Sequence, residues 1–229
     1  MKLSIIIPTY NEKDTILEIL AKIEAVNLSA MNCAKEIIII DDCSTDGTRE
    51  ILRALEGKYK ILYHEKNRGK GFALRTGIKA ATGDIIIIQD ADLEYDPEDY
   101  GKLIEPIIKG KEDVVYGSRN LGNNGKSSLS FYWGGRFLSV LANLLYGIRI
   151  TDEATCYKVF RADILKNINL ECERFEFCPE VTAKVAKKGL RIYEVPIRYY
   201  PRSIEEGKKI NWHDGITAIW TLFKYRFVE

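Results

Sequence analysis

Two unbroken blocks of isoleucine, 37–40 and 85–88, constrain this chain more than any other feature. Each is too short for a helix and has no polar residue in alternation. Such a block is stable only where both of its faces are buried, as in the central strands of a covered sheet. Strands are expected at 3–7, 36–40, 60–63, 84–88 and 113–116. Helical spacing fills the gaps at 14–26, 46–55, 71–81 and 96–109, with Asp46 or Thr48 as a cap and Pro97 at a first helical position. Strand and helix in alternation give right-handed crossovers, hence a mostly parallel sheet with helices on both faces. The expectation is a single α/β domain spanning 1–229.

Beyond residue 119 the pattern changes. Residues 117–130 read as a loop, 131–146 as a long apolar helix, 176–188 as a helix and 190–199 as a strand. A charged loop at 201–209 precedes an aromatic-rich helix at 212–227. The 34 basic and 33 acidic residues leave a net charge of +1, which argues against binding nucleic acid through its phosphates. Five scattered cysteines with no CxxC pair suggest neither disulfides nor a zinc site. No apolar run approaches a membrane span, and the early break at Pro8 argues against a signal peptide. The expected location is cytoplasmic, peripheral at the inner face of the cell membrane.

Open α/β sheets bind ligands beyond the carboxyl ends of their strands. Three strands here end in polar, mostly acidic segments: Pro8 to Glu12, Asp41 to Asp46, and Gln89 to Glu94. One such carboxylate is read as a helix cap, and Asp46 is so read. Three clusters at one edge repel one another unless a cation or a hydroxyl-rich ligand offsets them. If the chain stays extended, Asp90 and Asp92 share a face and Glu94 continues the phase, a set suited to Mg2+ or Mn2+. Neither GxxxxGK[ST] nor GxGxxG is present, so a P-loop or a dinucleotide-binding domain is not supported.

The segments IIIPTYNE, DDCSTDGT, NRGKGFALRTG and DADLEY, in this order and spacing, resemble family 2 glycosyltransferases of the GT-A fold. The resemblance covers the first half of the chain and extends through Gly117-Ser118-Arg119. It implies an inverting transfer from a nucleotide sugar bound by residues 1–119, with residues 120–229 serving the acceptor. It places Pro8, Tyr10, Glu12, Asp41 and Asp42 around the nucleoside, and makes Asp90 and Asp92 the metal-binding pair. Lys70 and Arg75 can add positive charge near the leaving diphosphate, although Arg75 is equally read as a solvated helix residue.

The acceptor half resembles the polyprenyl-phosphate branch, which includes dolichyl-phosphate mannose and glucose synthases. That resemblance implies that Arg119, Arg136 and Ser139 hold the acceptor phosphate, and that a basic loop with Arg202 and Lys208 closes over the donor. The implied partners are UDP-glucose or GDP-mannose, a polyprenyl or dolichyl phosphate, and a membrane surface or membrane subunit. Arg136, Ser139 and Asn143 share one face of an otherwise apolar helix, and an arginine there needs a partner or an anion. Asp92, Arg119, Arg136 and Asp152 are the candidate catalytic groups. The rival reading transfers sugar to a hydroxyl, with Asp152 or Glu153 as general base. A nucleotidyltransferase and a nucleotide-sugar-binding pseudoenzyme are the alternatives of other classes. His64 and His213 receive no role.

Overall fold

The computed structural model describes residues 1–122, 124, 129–202, 209 and 212–228. Five strands stand where the sequence places them: β1 (Lys2–Thr9), β2 (Ala34–Asp41), β3 (Lys60–Tyr63), β4 (Ile85–Ile88) and β5 (Val114–Ser118). With β6 (Lys158–Arg161) and β7 (Ile192–Pro196) they form one sheet in the order β3-β2-β1-β4-β6-β5-β7. Pairing is parallel except on either side of β6, which runs antiparallel to both β4 and β5. Neither β6 nor the short helix α6 (Ala162–Lys166) after it is expected from the sequence. Four residues following a polar stretch carry too little pattern to read as a strand.

The isoleucine blocks behave as their composition requires. All four residues of β4 are fully buried, and so are Ile38, Ile39 and Ile40 of β2, while Ile37 is half-buried. Each fully buried isoleucine contributes about 1.5–3 kcal/mol, so these strands anchor the core. The parallel register sets Thr9 beside Asp41 and Asp41 beside Tyr63, bringing the acidic strand ends to one edge.

The helices α1 (Ile16–Ala25), α2 (Thr48–Arg53), α3 (Lys70–Ala80) and α4 (Tyr100–Ile108) follow the sequence pattern. The expected cap at Asp46 acts through Thr48, whose amide (3.0 Å) and hydroxyl (2.6 Å) donate to its carboxylate. Before α4, Pro97 opens a 3-10 turn capped by Asp96, which accepts the Glu98 amide at 3.0 Å. Helix α5 (Leu129–Tyr146), α7 (Phe177–Lys187) and α8 (Trp212–Phe227) complete the fold. Among the described residues no helix is long and apolar enough to cross a membrane.

Helix α3 lies directly on the sheet because it has a glycine at the crossing. A Cβ at Gly77 would sit 2.4 Å from Ile6 Cγ2 and 2.8 Å from Ile40 Cδ1. Alanine in a free helix gains about 1 kcal/mol over glycine. Here Gly77→Ala is expected to destabilise the protein by about 1–3 kcal/mol through overpacking, read by urea denaturation. A gain in stability would show that the helix can lift off the sheet at no cost.

Candidate active site

A cavity of about 480 Å³ opens at the carboxyl edge of the sheet. Pro8, Tyr10 and Glu12 reach it from the end of β1, Asp42 from β2, and Asp90, Asp92 and Glu94 from β4. Lys70, at the start of α3, and Arg119, just past β5, complete the polar lining, with Arg202 after β7. The second half of the chain adds apolar lining from Leu138 of α5, Phe177 of α7 and Ala218 of α8, together with the charged Glu153, Arg174 and Asp214.

The segments that follow three strands each hold a residue with positive φ: Asn11 (φ 51°), Cys43 (φ 64°) and Leu93 (φ 64°). For a bulky leucine this conformation is strained, and such strain gathers at functional sites. Leu93 also corrects the expectation of an extended DADLE segment. The chain turns after β4, the Glu94 amide donates to Asp92 Oδ1 at 3.1 Å, and Glu94 leaves the phase of Asp90 and Asp92. Its carboxylate instead accepts the Arg202 amide at 2.8 Å and the Tyr199 hydroxyl at 3.2 Å.

Glu12, Asp42, Asp90, Asp92 and Glu94 each have a protein cation or amide against them. Lys70 Nζ lies 2.6 Å from Asp90 Oδ1. Burial disfavours the Lys70 ammonium, but Asp90 more than offsets this and holds its pKa above the usual lysine value. Asp90 is likewise held low by Lys70 despite its own burial. Arg202 places one nitrogen 3.0 Å from Asp92 and another 3.4 Å from Glu12. Lys209 reaches Glu12 at 2.6 Å and also donates to the Tyr10 carbonyl. Asp92 remains the least compensated. Burial, then the charges of Asp90 and Glu94, push its pKa up to about 7.

The raised pKa of Asp92 is the test of fit for a divalent cation. The donors are hard oxygens, and a cation would offset both the burial and the neighbouring charges of Asp90 and Glu94 that hold the Asp92 pKa up. Among the described residues no three ligating side chains converge on one point. A metal here would rest on Asp90 and Asp92 and take its remaining ligands from a bound phosphate, the usual arrangement for Mg2+.

Other expected site residues are engaged elsewhere. Asp41 is fully buried behind the cavity, where it takes Arg49 Nε at 2.5 Å and the Ser44 amide at 3.1 Å. Asp42 lines the cavity, but its carboxylate is occupied by His64 Nδ1 at 2.7 Å and by the amides of Arg68 and Gly69 at 3.0 and 2.6 Å. It therefore ties down the loop that leads into α3. Arg75 neither reaches the cavity nor stays solvated as a free helix residue. It braces residues 171–172, donating to the carbonyls of Glu171 (3.1 Å) and Cys172 (3.4 Å).

Asp152 receives a two-pronged contact from Arg119, with Nε and a terminal nitrogen each 2.7 Å from an oxygen, and the Arg119 amide at 2.9 Å. Burial works against this carboxylate, but Arg119 keeps its pKa below the usual range. A carboxylate so held is a weak base. Ser139 is buried, donates to the Gly135 carbonyl at 3.0 Å and accepts the Glu153 amide at 2.9 Å, so it sets the course of the 152–153 segment. Arg136 is half-buried on α5 and makes no hydrogen bond or ion pair among the described residues. Lys208 lies outside the described residues.

Some contributors have no role assigned from the sequence, and Glu153 enters there only as the general base of the rival reading. Arg49, His64 and Asn67 support the two aspartates of β2 from 8 to 25 residues away. Glu153 is more telling. It is fully buried at the cavity wall, its carboxylate oxygens find no hydrogen-bond partner of good geometry among the described residues, and burial raises its pKa although the Lys158 charge and the Thr182 hydroxyl pull the other way. Tyr199, under the Arg119 guanidinium at 5.1 Å, lies just past β7, where strand-end reasoning would have found it.

The site can be compared with known proteins. The model of the family Glycosyl transferase family 2 matches residues 4–168. The chain is 33% identical over 217 residues to a dolichol-phosphate mannosyltransferase of Pyrococcus furiosus, covering 91% of this chain and 59% of that relative. It is 32% identical over 230 residues to a UDP-N-acetylglucosamine–dolichyl-phosphate N-acetylglucosaminyltransferase of Methanococcus voltae, covering 90% and 89%. The chain thus spans well under two thirds of the first relative and most of the second. Among solved structures, glucosyl-3-phosphoglycerate synthase of Mycobacterium tuberculosis with Mn2+, UDP and phosphoglyceric acid aligns with a TM-score of 0.73 at 19% identity, over 100% of this chain and 79% of that one. Mannosyl-3-phosphoglycerate synthase of Rubrobacter xylanophilus aligns at 0.76 and 18%, over 98% and 72%. These two likenesses show the GT-A fold.

Proposed function

The chain belongs to glycosyl transferase family 2, and from that premise we propose that it transfers a hexose from a nucleotide sugar to a polyprenyl or dolichyl phosphate. The donor is UDP-glucose or GDP-mannose, and the anomeric configuration inverts. The observation that supports this most is the mixed lining of the cavity, which joins strand-end carboxylates to apolar side chains of α5, α7 and α8. Two relatives named for transfer to dolichyl phosphate support the same reading. A lipid-borne acceptor also requires the protein to work at a membrane surface.

Asp90 and Asp92 would hold Mg2+ or Mn2+, which would neutralise charge on the departing diphosphate. Lys70 stands against Asp90 and adds a fixed positive charge at the same end. Tyr10, about one-third exposed, offers a ring face to the nucleobase. A phosphate monoester is already nucleophilic at neutral pH, so the chain need only hold its oxygen in line with the anomeric carbon. Arg136, half-buried on α5 beside the residues that line the cavity rather than among them, is assigned that task because no anion among the described residues holds it. Arg119 is held rigid by Asp152 and presents positive charge at the cavity wall.

One observation favours the hydroxyl-acceptor reading, namely the unpartnered Glu153 with its raised pKa. Asp152 drops out as its base, because Arg119 has already claimed it. Purified protein with divalent metal, a short polyprenyl phosphate and labelled donor decides the matter. Label is expected in the organic phase, falling at least about a hundredfold in Arg136→Ala and persisting in Glu153→Gln. Label absent from lipid phosphate but present on a glycan hydroxyl, and lost in Glu153→Gln, would replace this reading with its rival.

A further inference from the structure

Residues 171–176, just before α7, form no helix or strand, yet hydrogen bonds fix them at nearly every position. The buried Glu180 carboxylate accepts the amides of Glu171 and Cys172, each at 2.8 Å. Glu176 accepts the amides of Glu173 and Arg174 at 2.9 and 3.1 Å. Helix α3 holds the same segment from its other side. The Phe72 amide donates to the Glu173 carbonyl at 3.0 Å, and Arg68 reaches the Glu173 carboxylate at 3.0 Å. Arg75 adds its bonds to the carbonyls of Glu171 and Cys172.

Two glycines of NRGKGFALRTG make room for this contact. A Cβ on Gly69 would lie 2.5 Å from the Glu173 carbonyl oxygen and 3.0 Å from Arg174 Cγ. One on Gly71 would lie 2.8 Å from the Arg174 carbonyl oxygen and 3.0 Å from Cys172 Sγ. What so much fixed backbone delivers is the Arg174 side chain. It is exposed, lines the cavity, and makes no hydrogen bond or ion pair among the described residues. The other described cations of that lining face carboxylates: Lys70 faces Asp90, Arg119 faces Asp152, Arg202 faces Asp92 and Lys209 faces Glu12. An arginine left open on a fixed backbone, inside a cavity, is arranged for an incoming anion. Its stem rests on Gly69, the residue before Lys70, which places it on the donor side of the cavity.

We infer that Arg174 binds the diphosphate of the donor, and that the start of α3, from Arg68 to Arg75, is the platform that holds it in place. The inference rests on the nucleotide-sugar half of the reading above and is independent of the acceptor. The guanidinium offers paired N–H donors to phosphoryl oxygens. With Lys70 it gives the departing diphosphate two protein cations at the start of α3, against the repulsion of the strand-end carboxylates. Gly69, Gly71 and Glu176 are then positioning residues, which act through Arg174.

Calorimetric titration of the full chain with UDP, GDP, uridine and guanosine, in the presence of Mn2+, tests this. Arg174→Ala is expected to weaken the preferred nucleoside diphosphate about ten- to a hundredfold, and to leave its nucleoside within about twofold. Arg174→Lys should recover part of the loss, since it keeps the charge and gives up the fork. Both variants should unfold at the wild-type urea midpoint, because the side chain is exposed. Gly71→Ala, which crowds the Arg174 carbonyl, should show the same split between diphosphate and nucleoside with Arg174 still present. Diphosphate affinity unchanged in Arg174→Ala would overturn the site, and unchanged in Gly71→Ala would overturn the platform. Equal losses for diphosphate and nucleoside would make the segment a wall of the nucleoside pocket instead. A raised KM for polyprenyl phosphate with diphosphate binding intact would move Arg174 to the acceptor. Wild-type protein that binds UDP and GDP no better than their nucleosides would remove the inference together with its nucleotide-sugar premise. The expected split in a protein that transfers nothing to polyprenyl phosphate would leave Arg174 in its role and remove the acceptor alone.

Discussion

Replacing Asp92 with asparagine is expected to reduce sugar transfer by at least about a thousandfold while making the ligand-free protein more heat-stable above pH 7. The two effects share a cause. Asp92 sits at a buried edge with Asp90 and Glu94 close by, and its pKa is raised to about 7. An unfolded aspartate ionises near pH 3.9. Between these values the folded chain keeps a proton that the unfolded chain has released. Stability therefore falls as pH rises through that window, and the full penalty is present above it. Asparagine cannot ionise and escapes the penalty, while Arg202 retains Glu12 as a partner.

The gain in melting temperature should accordingly be small at pH 5 and several degrees larger at pH 8. The transfer assay reads the other half of the prediction, since asparagine supplies no negative charge for a metal. Equal stabilisation at both pH values would mean that Asp92 is not the charge under strain. Undiminished transfer would remove it from the reaction.

The second large effect concerns Arg119 and Asp152. Asp152 is almost fully buried, and its carboxylate takes three hydrogen bonds from Arg119. Arg119→Ala removes two of them and leaves an uncompensated buried charge, which costs about 3–5 kcal/mol. Replacing both partners with apolar residues, Arg119→Met with Asp152→Leu, should recover most of that loss, because the desolvated charge is gone as well. Chemical denaturation of Arg119→Met, Asp152→Leu and the double variant gives the coupling directly. Transfer should stay low in the double variant even where stability returns, because Arg119 faces the cavity. A double variant no more stable than Arg119→Ala would show that packing, rather than charge, holds this corner. A stable and fully active double variant would remove Arg119 from the acceptor site.

Much of the fold was legible because its signals are local. Four isoleucines in a row identify a doubly covered strand wherever they occur, and β4 lies buried as that pattern demands. The repeat of strand and helix then brings β1, β2 and β4 side by side with their acidic ends together. The strand β6 was not legible, since Lys158 to Arg161 acquires its meaning only from β4 and β5 on either side. The turn at Leu93 was missed for a related reason. Nothing in Asp-Ala-Asp-Leu-Glu requires a left-handed leucine, and the surrounding structure imposes it.

For the site, the sequence by itself determined which chemical groups arrive at the carboxyl edge: carboxylates from three strands, a lysine at the start of α3, an arginine past β5. Tertiary structure alone decided what each of them does there. Asp41, Asp42 and Asp152 are equal candidates in sequence, yet Arg49 and His64 claim the first two and Arg119 the third, leaving Asp92 under strain and Glu153 unpartnered. The physical reason is range. Periodicity and caps act over a few residues and are written in the local order of side chains. A pairing such as Arg202 with Asp92, 110 residues apart, depends on distances that exist only after the chain has closed.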